Sequence, residues 1–153
     1  MDLKTLEPIL AEHPFLHDLE PRHVATLVGC ASNVTFEAGS FLFRSGEPAD
    51  RCFIVRHGRV AVGTHSPGRG EITVLTVDDG EVLGWSWLFA PYSWHFDARA
   101  QTVVRAIALD GVCLRQKAEA DPSLGYQLMK RFAQVAIQRL EATQIQLMDI
   151  YAG

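Results

Sequence analysis

The stretch that decides the fold is Phe36 to Val62, FEAGSFLFRSGEPADRCFIVRHGRVAV. Within it Phe53 and Val55 alternate with Ile54 and Arg56 up to a turn at His57 and Gly58, and Val60 and Val62 alternate with Arg59 and Ala61 beyond it. A period of two sends successive side chains to opposite faces, so this segment predicts a β-hairpin with one face buried. Gly39, Gly46 and Gly58 stand where tight turns between short strands call for positive φ, which other residues adopt only with strain.

Outward from the hairpin, the chain from Asn33 to Leu109 keeps the same texture. Short segments rich in Val, Ile, Phe and Thr are separated by these glycines, by SPGRG at Ser66 to Gly70 and by DDG at Asp78 to Gly80. That spacing predicts a small antiparallel sandwich or barrel. Upstream, Leu3, Leu6, Ile9 and Leu10 precede Pro14 at helical spacing, and Val24, Leu27 and Val28 follow Glu20 and Pro21. These predict two short helices.

Downstream, a helical block begins near Asp110, is interrupted at Asp121 and Pro122, and continues to the end. In its second part Leu128, Phe132, Val135, Ala136, Leu140, Thr143, Leu147 and Ile150 form one stripe, while Ile137, Leu140, Ile145 and Met148 begin another. One stripe packs on the domain, and the wider apolar surface calls for a second partner. A copy of the same helix would supply it, giving a two-fold homodimer. The alternative is that the carboxyl end folds back on the sandwich.

The chain has 153 residues, 48% of them hydrophobic and 21% charged, which suits a single globular domain. Its expected parts are helices over 1–31, a β-roll over 32–109 and helices over 110–153. A net charge of −4 with scattered Lys and Arg gives no electrostatic footprint for direct nucleic acid binding. No apolar run reaches the ~18 residues that would suggest a membrane span, and MDLKTLEPILAEHPFL is too polar for a signal peptide. Cys30, Cys52 and Cys113 are odd in number, far apart and without CxxC spacing, so they read as reduced thiols in a cytoplasmic protein.

The order of elements, together with Gly39, Gly46, Glu47, Ala49, Asp50, Phe53, Ile54, Val55, Gly58, Val60 and Val62, resembles the cyclic nucleotide-binding domain of the catabolite activator protein and of protein kinase regulatory subunits. The resemblance implies a mainly β fold with flanking helices: an antiparallel β-roll, or jelly roll, preceded by two helices and followed by a long dimer helix. It also locates the chemistry in DDGEVLGWSWLFAPYSWHFDARAQTVVRAIALD, Asp78 to Asp110.

In relatives a G-E-x-A/L segment opens a short helix whose N–H groups cradle the cyclic phosphate; its glutamate takes the ribose hydroxyl, and a later arginine pairs the phosphate. By this carry-over Gly80 and Glu81 are the first pair, and Val82, Leu83, Gly84 and Trp85 form the helix start. The arginine position holds Trp94, followed by His95. An indole offers one N–H and no charge, so it cannot pair a phosphate. Weak, altered or lost cyclic nucleotide binding is therefore expected. A retained phosphate would have to use Arg99 or protonated His95, although strand alternation turns Arg99 away from Trp94, toward solvent or Asp97.

Trp85, Trp87, Phe89, Tyr92 and Trp94 crowd the same loop. They either line a pocket for something flat or apolar, or fill the old pocket and leave a scaffold. RLEATQ, Arg139 to Gln144, resembles the dimer-helix segment in which a threonine contacts the base. Thr143 takes that position, or simply bonds back to the carbonyl four residues earlier.

No metal, cofactor or catalytic signature accompanies these features. The six histidines form no HxH and no HxxxH on an uninterrupted helix, and GxSxG, GxxxxGK, GxGxxG and DxDxDG are absent. Glu47 and Asp50 sit beside Arg44 and Arg51 as a solvated, ion-paired loop. The sequence thus predicts a non-enzymatic regulatory module for a cyclic nucleotide or another small ligand. The competing expectations are a ligand-free scaffold that binds a partner protein, and a transcriptional regulator remnant whose chain stops at Gly153, before any helix-turn-helix.

Overall fold

Eight strands build two four-stranded antiparallel sheets in the computed structural model, which describes residues 3–66, 68 and 70–152. The first sheet orders β1 (Ala31–Phe36), β8 (Val104–Asp110), β3 (Arg51–His57) and β6 (Val82–Leu83). The second orders β2 (Phe41–Phe43), β7 (Asp97–Ala100), β4 (Val60–Ser66) and β5 (Gly70–Val77). Pro67 and Arg69 of the SPGRG turn lie outside the described residues. This is the sandwich that the glycine punctuation predicts, in the jelly-roll form that the family resemblance implies.

The Phe53–Val62 segment is nevertheless not a paired hairpin. β3 bonds to β8 and β6, and β4 bonds to β5 and β7, so the chain changes sheets at Gly58. Gly58 has φ +109°, and a Cβ there would stand 2.4 Å from the Val103 carbonyl oxygen. Nor is only one face of β3 buried: Cys52, Phe53, Ile54 and Val55 are all fully covered. Cys52 and Ile54 face a core shared with the helices, while Phe53 and Val55 face the space between the sheets. The first sheet is the middle layer of three, and the unbroken apolar run CFIV reflects that.

The helical layer comprises α1 (Leu3–Glu12), a 3-10 turn at Pro14–Leu16, α2 (Pro21–Val28), α3 (Gly111–Ala120) and α4 (Pro122–Ala152). Pro21 opens α2, where its missing N–H costs nothing. The Asp110 carboxylate caps α3 by accepting from the Cys113 N–H at 2.8 Å. Only the first third of α4 is sunk in the core, through Leu124, Leu128 and Phe132. Among the described residues no helix is long and apolar enough to cross a membrane.

The cysteine expectation needs correcting. Cys30 and Cys113, 83 residues apart, form a disulfide, leaving Cys52 as the free thiol. The roll returns the chain to its start: the Asp110 N–H bonds the Cys30 carbonyl at 2.9 Å, which brings the head of α3 against the end of α2. Spacing along the chain cannot show that closure. Burial pushes the Cys52 thiol far up, so it is inert.

Candidate functional site

A cavity of about 610 Å³ opens between the second sheet, the connection from β6 to β7 and the middle of α4. The sheet contributes Phe43, Val62 and Leu75, and β6 contributes Leu83. The connection contributes Gly84, Trp85, Trp94, His95 and Phe96, and α4 contributes Ala136, Arg139, Leu140, Thr143 and Gln146. A size of this order and a mainly apolar wall with a few polar groups suit a small-molecule site.

Trp94 forms one wall. Its ring stacks on Phe43 with centroids 3.7 Å apart and planes within 9°, and it is 6% exposed. Its backbone is held on both sides, the N–H by the Glu47 carbonyl at 3.0 Å and the carbonyl by the Gly46 N–H at 2.8 Å. The indole lies over Gly84, where φ is +100° and a Cβ would come within 2.6 Å of the ring. Glycine is required there both by conformation and by space.

The expected helix start is displaced. Val82 and Leu83 belong to β6, and the short helix of the connection is one 3-10 turn, Ser86–Leu88, entered through Gly84 and Trp85. Gly84 and Trp85, not Gly80 and Glu81, therefore stand at its head. Glu81 is exposed on the turn before β6, where its Oε1 accepts from the Asp78 N–H at 2.9 Å. It lines a second, smaller hollow of about 440 Å³ with Gly80, Arg131, Gln138 and Arg139, and not the main cavity.

Arg139 is a cavity residue that motif reading gives no role. It donates to the Val82 carbonyl, and its guanidinium carbon lies 5.5 Å from the centre of the Trp85 ring. Burial lowers its pKa, with the Glu81 charge acting in the opposite direction. The available signal was its place one helical turn before Thr143, on the same face. Thr143 itself donates to the Arg139 carbonyl at 2.9 Å while lining the cavity.

Arg99 is absent from the wall. Its Nε donates to the Gly39 carbonyl at 3.2 Å and its Nη1 lies 3.4 Å from a Glu71 carboxylate oxygen. It does not pair with Asp97, whose carboxylate takes the N–H groups of Ser45 (2.8 Å) and His65 (2.9 Å) and faces Arg44. Burial raises the Asp97 pKa, but those bonds and Arg44 outweigh it and leave a net lowering. His95 is exposed at the cavity rim. Among the described residues no cluster of His, Cys, Asp and Glu is arranged to hold a metal ion.

This roll, with its cavity under a long terminal helix, defines a class. The cyclic nucleotide-binding domain family matches residues 33–121, more than half of the chain, and the chain belongs to that family. It is 29% identical over 145 residues to a CRP-like cAMP-activated global transcriptional regulator of Mycobacterium tuberculosis, covering 95% of this chain and 63% of that protein. The chain thus spans less than two thirds of that relative's length. A Geobacter metallireducens protein described as cyclic nucleotide-binding superposes with a TM-score of 0.77 at 26% identity, covering 92% of this chain and 98% of that one. The amino-terminal domain of a transcriptional regulator from Streptomyces coelicolor gives 0.68 at 28% identity, covering 88% and 94%.

Proposed function

We propose that the chain is a non-enzymatic regulatory module that takes a small ligand into the main cavity and transmits its presence through α4, with cyclic nucleotide binding weak or lost. One observation carries this reading. The cavity is open and two tryptophans line it, Trp85 at the head of the short helix and Trp94, to which the family resemblance gives the arginine position. Neither indole can replace a carboxylate for a ribose hydroxyl or a guanidinium for a phosphate. Calorimetry with cyclic AMP and cyclic GMP tests it: no heat is expected at high micromolar ligand, and a tight complex with either would overturn the reading.

The output surface is the far part of α4. Ile145, Met148 and Ile150 are 59%, 68% and 71% exposed on a helix whose beginning is buried, which supports a second copy of the chain as partner. Sedimentation should show a dimer, and Met148→Glu should shift it to monomer; a chain already monomeric would remove the dimer. The cytoplasm is the compartment we favour, supported by the resemblance to named transcriptional regulators, while the Cys30–Cys113 bond pulls the other way. A ligand-free scaffold for a partner protein draws support from the Trp94–Phe43 stack, in which the two rings already pack on each other.

A further inference from the structure

The main cavity is lined by one guanidinium and by no carboxylate. Arg139 has five N–H donors in a planar fork. The Val82 carbonyl takes one, and the face of Trp85 takes none. At the head of the short helix the chain presents Trp85 to Arg139, an indole that carries no charge to set against the cation. Among the described residues no carboxylate makes an ion pair with it. Glu81, whose charge Arg139 feels across the smaller hollow that both line, forms no salt bridge with it and is bonded into its own turn through the Asp78 N–H.

A cation held in a mainly apolar wall without a counter-ion is costly, and an anion arriving with the ligand offsets that cost. A planar carboxylate matches the guanidinium fork in two parallel hydrogen bonds. The rest of the ligand meets aromatic walls: Trp85 beside Arg139, and Trp94 with one face already stacked on Phe43, while the Thr143 hydroxyl already donates to the Arg139 carbonyl. A ribose hydroxyl buried against these rings without a partner is costly. A flat hydrocarbon ring incurs no such cost.

Resting on the reading of the cavity as a ligand site, we infer that its occupant is a small flat aromatic monocarboxylate, its carboxylate on Arg139 and its ring against Trp85 and Trp94. The full chain should be titrated with 1-naphthoate, with the uncharged 1-naphthalenemethanol and with cyclic AMP, followed by calorimetry and by quenching of tryptophan fluorescence. Naphthoate should bind about tenfold or more tightly than the alcohol, as expected for a charge-assisted pair. Arg139→Gln should erase that preference while the alcohol's affinity holds, and Arg139→Lys, which keeps the charge but not the fork, should retain part of it.

Equal binding of naphthoate and the alcohol, or an unchanged preference in Arg139→Gln, overturns the anion assignment and leaves the ligand site standing. Binding of cyclic AMP with no binding of naphthoate overturns the assignment in favour of the nucleotide. Binding of none of the three overturns the assignment and the ligand-site reading together.

Discussion

Trp87 and Trp94 lie on the same connection and meet opposite surroundings. Trp87 is fully buried on the helical side of the first sheet, edge-on to Phe132 with centroids 5.4 Å apart, and Phe132 in turn meets Phe15 at 4.9 Å. Trp94 lies on the other side of that sheet, stacked on Phe43 with open space beside it. One side is closed by aromatic packing, the Asp110 cap and a disulfide. The other side is left unfilled, so its interaction energy is available to a ligand. The same chain segment anchors the frame with one indole and shapes the cavity with another.

Cutting into each side should give the largest contrast. Phe132→Ala removes a ring from the closed core and should lower unfolding free energy by about 3–5 kcal/mol. Leu140→Ala, at a side chain 57% exposed on the cavity's helix, should change it by about 0.5 kcal/mol or less. Denaturant unfolding at fixed protein concentration compares them, and similar losses in the two variants would erase the distinction.

The disulfide comes next. It closes 83 residues between the end of α2 and the head of α3, and a cross-link of that span contributes about 2–4 kcal/mol, largely by restricting the unfolded chain. Cys113→Ser should lower the melting temperature, and reductant should lower the wild type but not the variant. A wild type indifferent to reductant would remove the disulfide from the closed side's account.

What the sequence made legible follows from range. The glycine turns, the alternating apolar residues and the helical spacings are local, and they placed the roll and the helices, while Trp94 came from the family resemblance. The burial of β3 on both faces was available in the unbroken run Cys52 to Val55, but alternation around Gly58 suggested an ordinary hairpin instead. The Cys30–Cys113 bond depends on where β8 returns, which no local spacing encodes. At the site, the family carry-over put the motif at Gly80 and Glu81, whereas the glycine that packs against Trp94 at the head of the short helix is Gly84. Arg139 belongs to RLEATQ, but its place at the cavity depends on α4 lying over Val82 and Trp85, which no local spacing encodes.

The smallest expected effect separates the two sides by pH. His13 is buried on the closed side and ties the amino-terminal segment to the roll, its Nε2 lying 3.0 Å from the Val55 carbonyl and its Nδ1 accepting from the Phe15 N–H at 3.1 Å. Those partners assign the neutral tautomer with hydrogen on Nε2. Protonating Nδ1 would set two N–H groups against each other. Burial accordingly lowers the His13 pKa from its ordinary 6.5; the Val55 bond opposes that shift, and Arg56 adds to it. Because the folded value is depressed, the unfolded chain takes up the proton first. Stability from this group is complete above pH 6.5 and declines as pH falls from there toward the folded value, by at most about 1.4 kcal/mol per pH unit. Glutamine can accept from one N–H and donate to one carbonyl without titrating, so His13→Gln should flatten the decline between pH 6.5 and 5.5 in denaturant unfolding. An unchanged slope would assign the decline to other groups and leave His13 as packing alone.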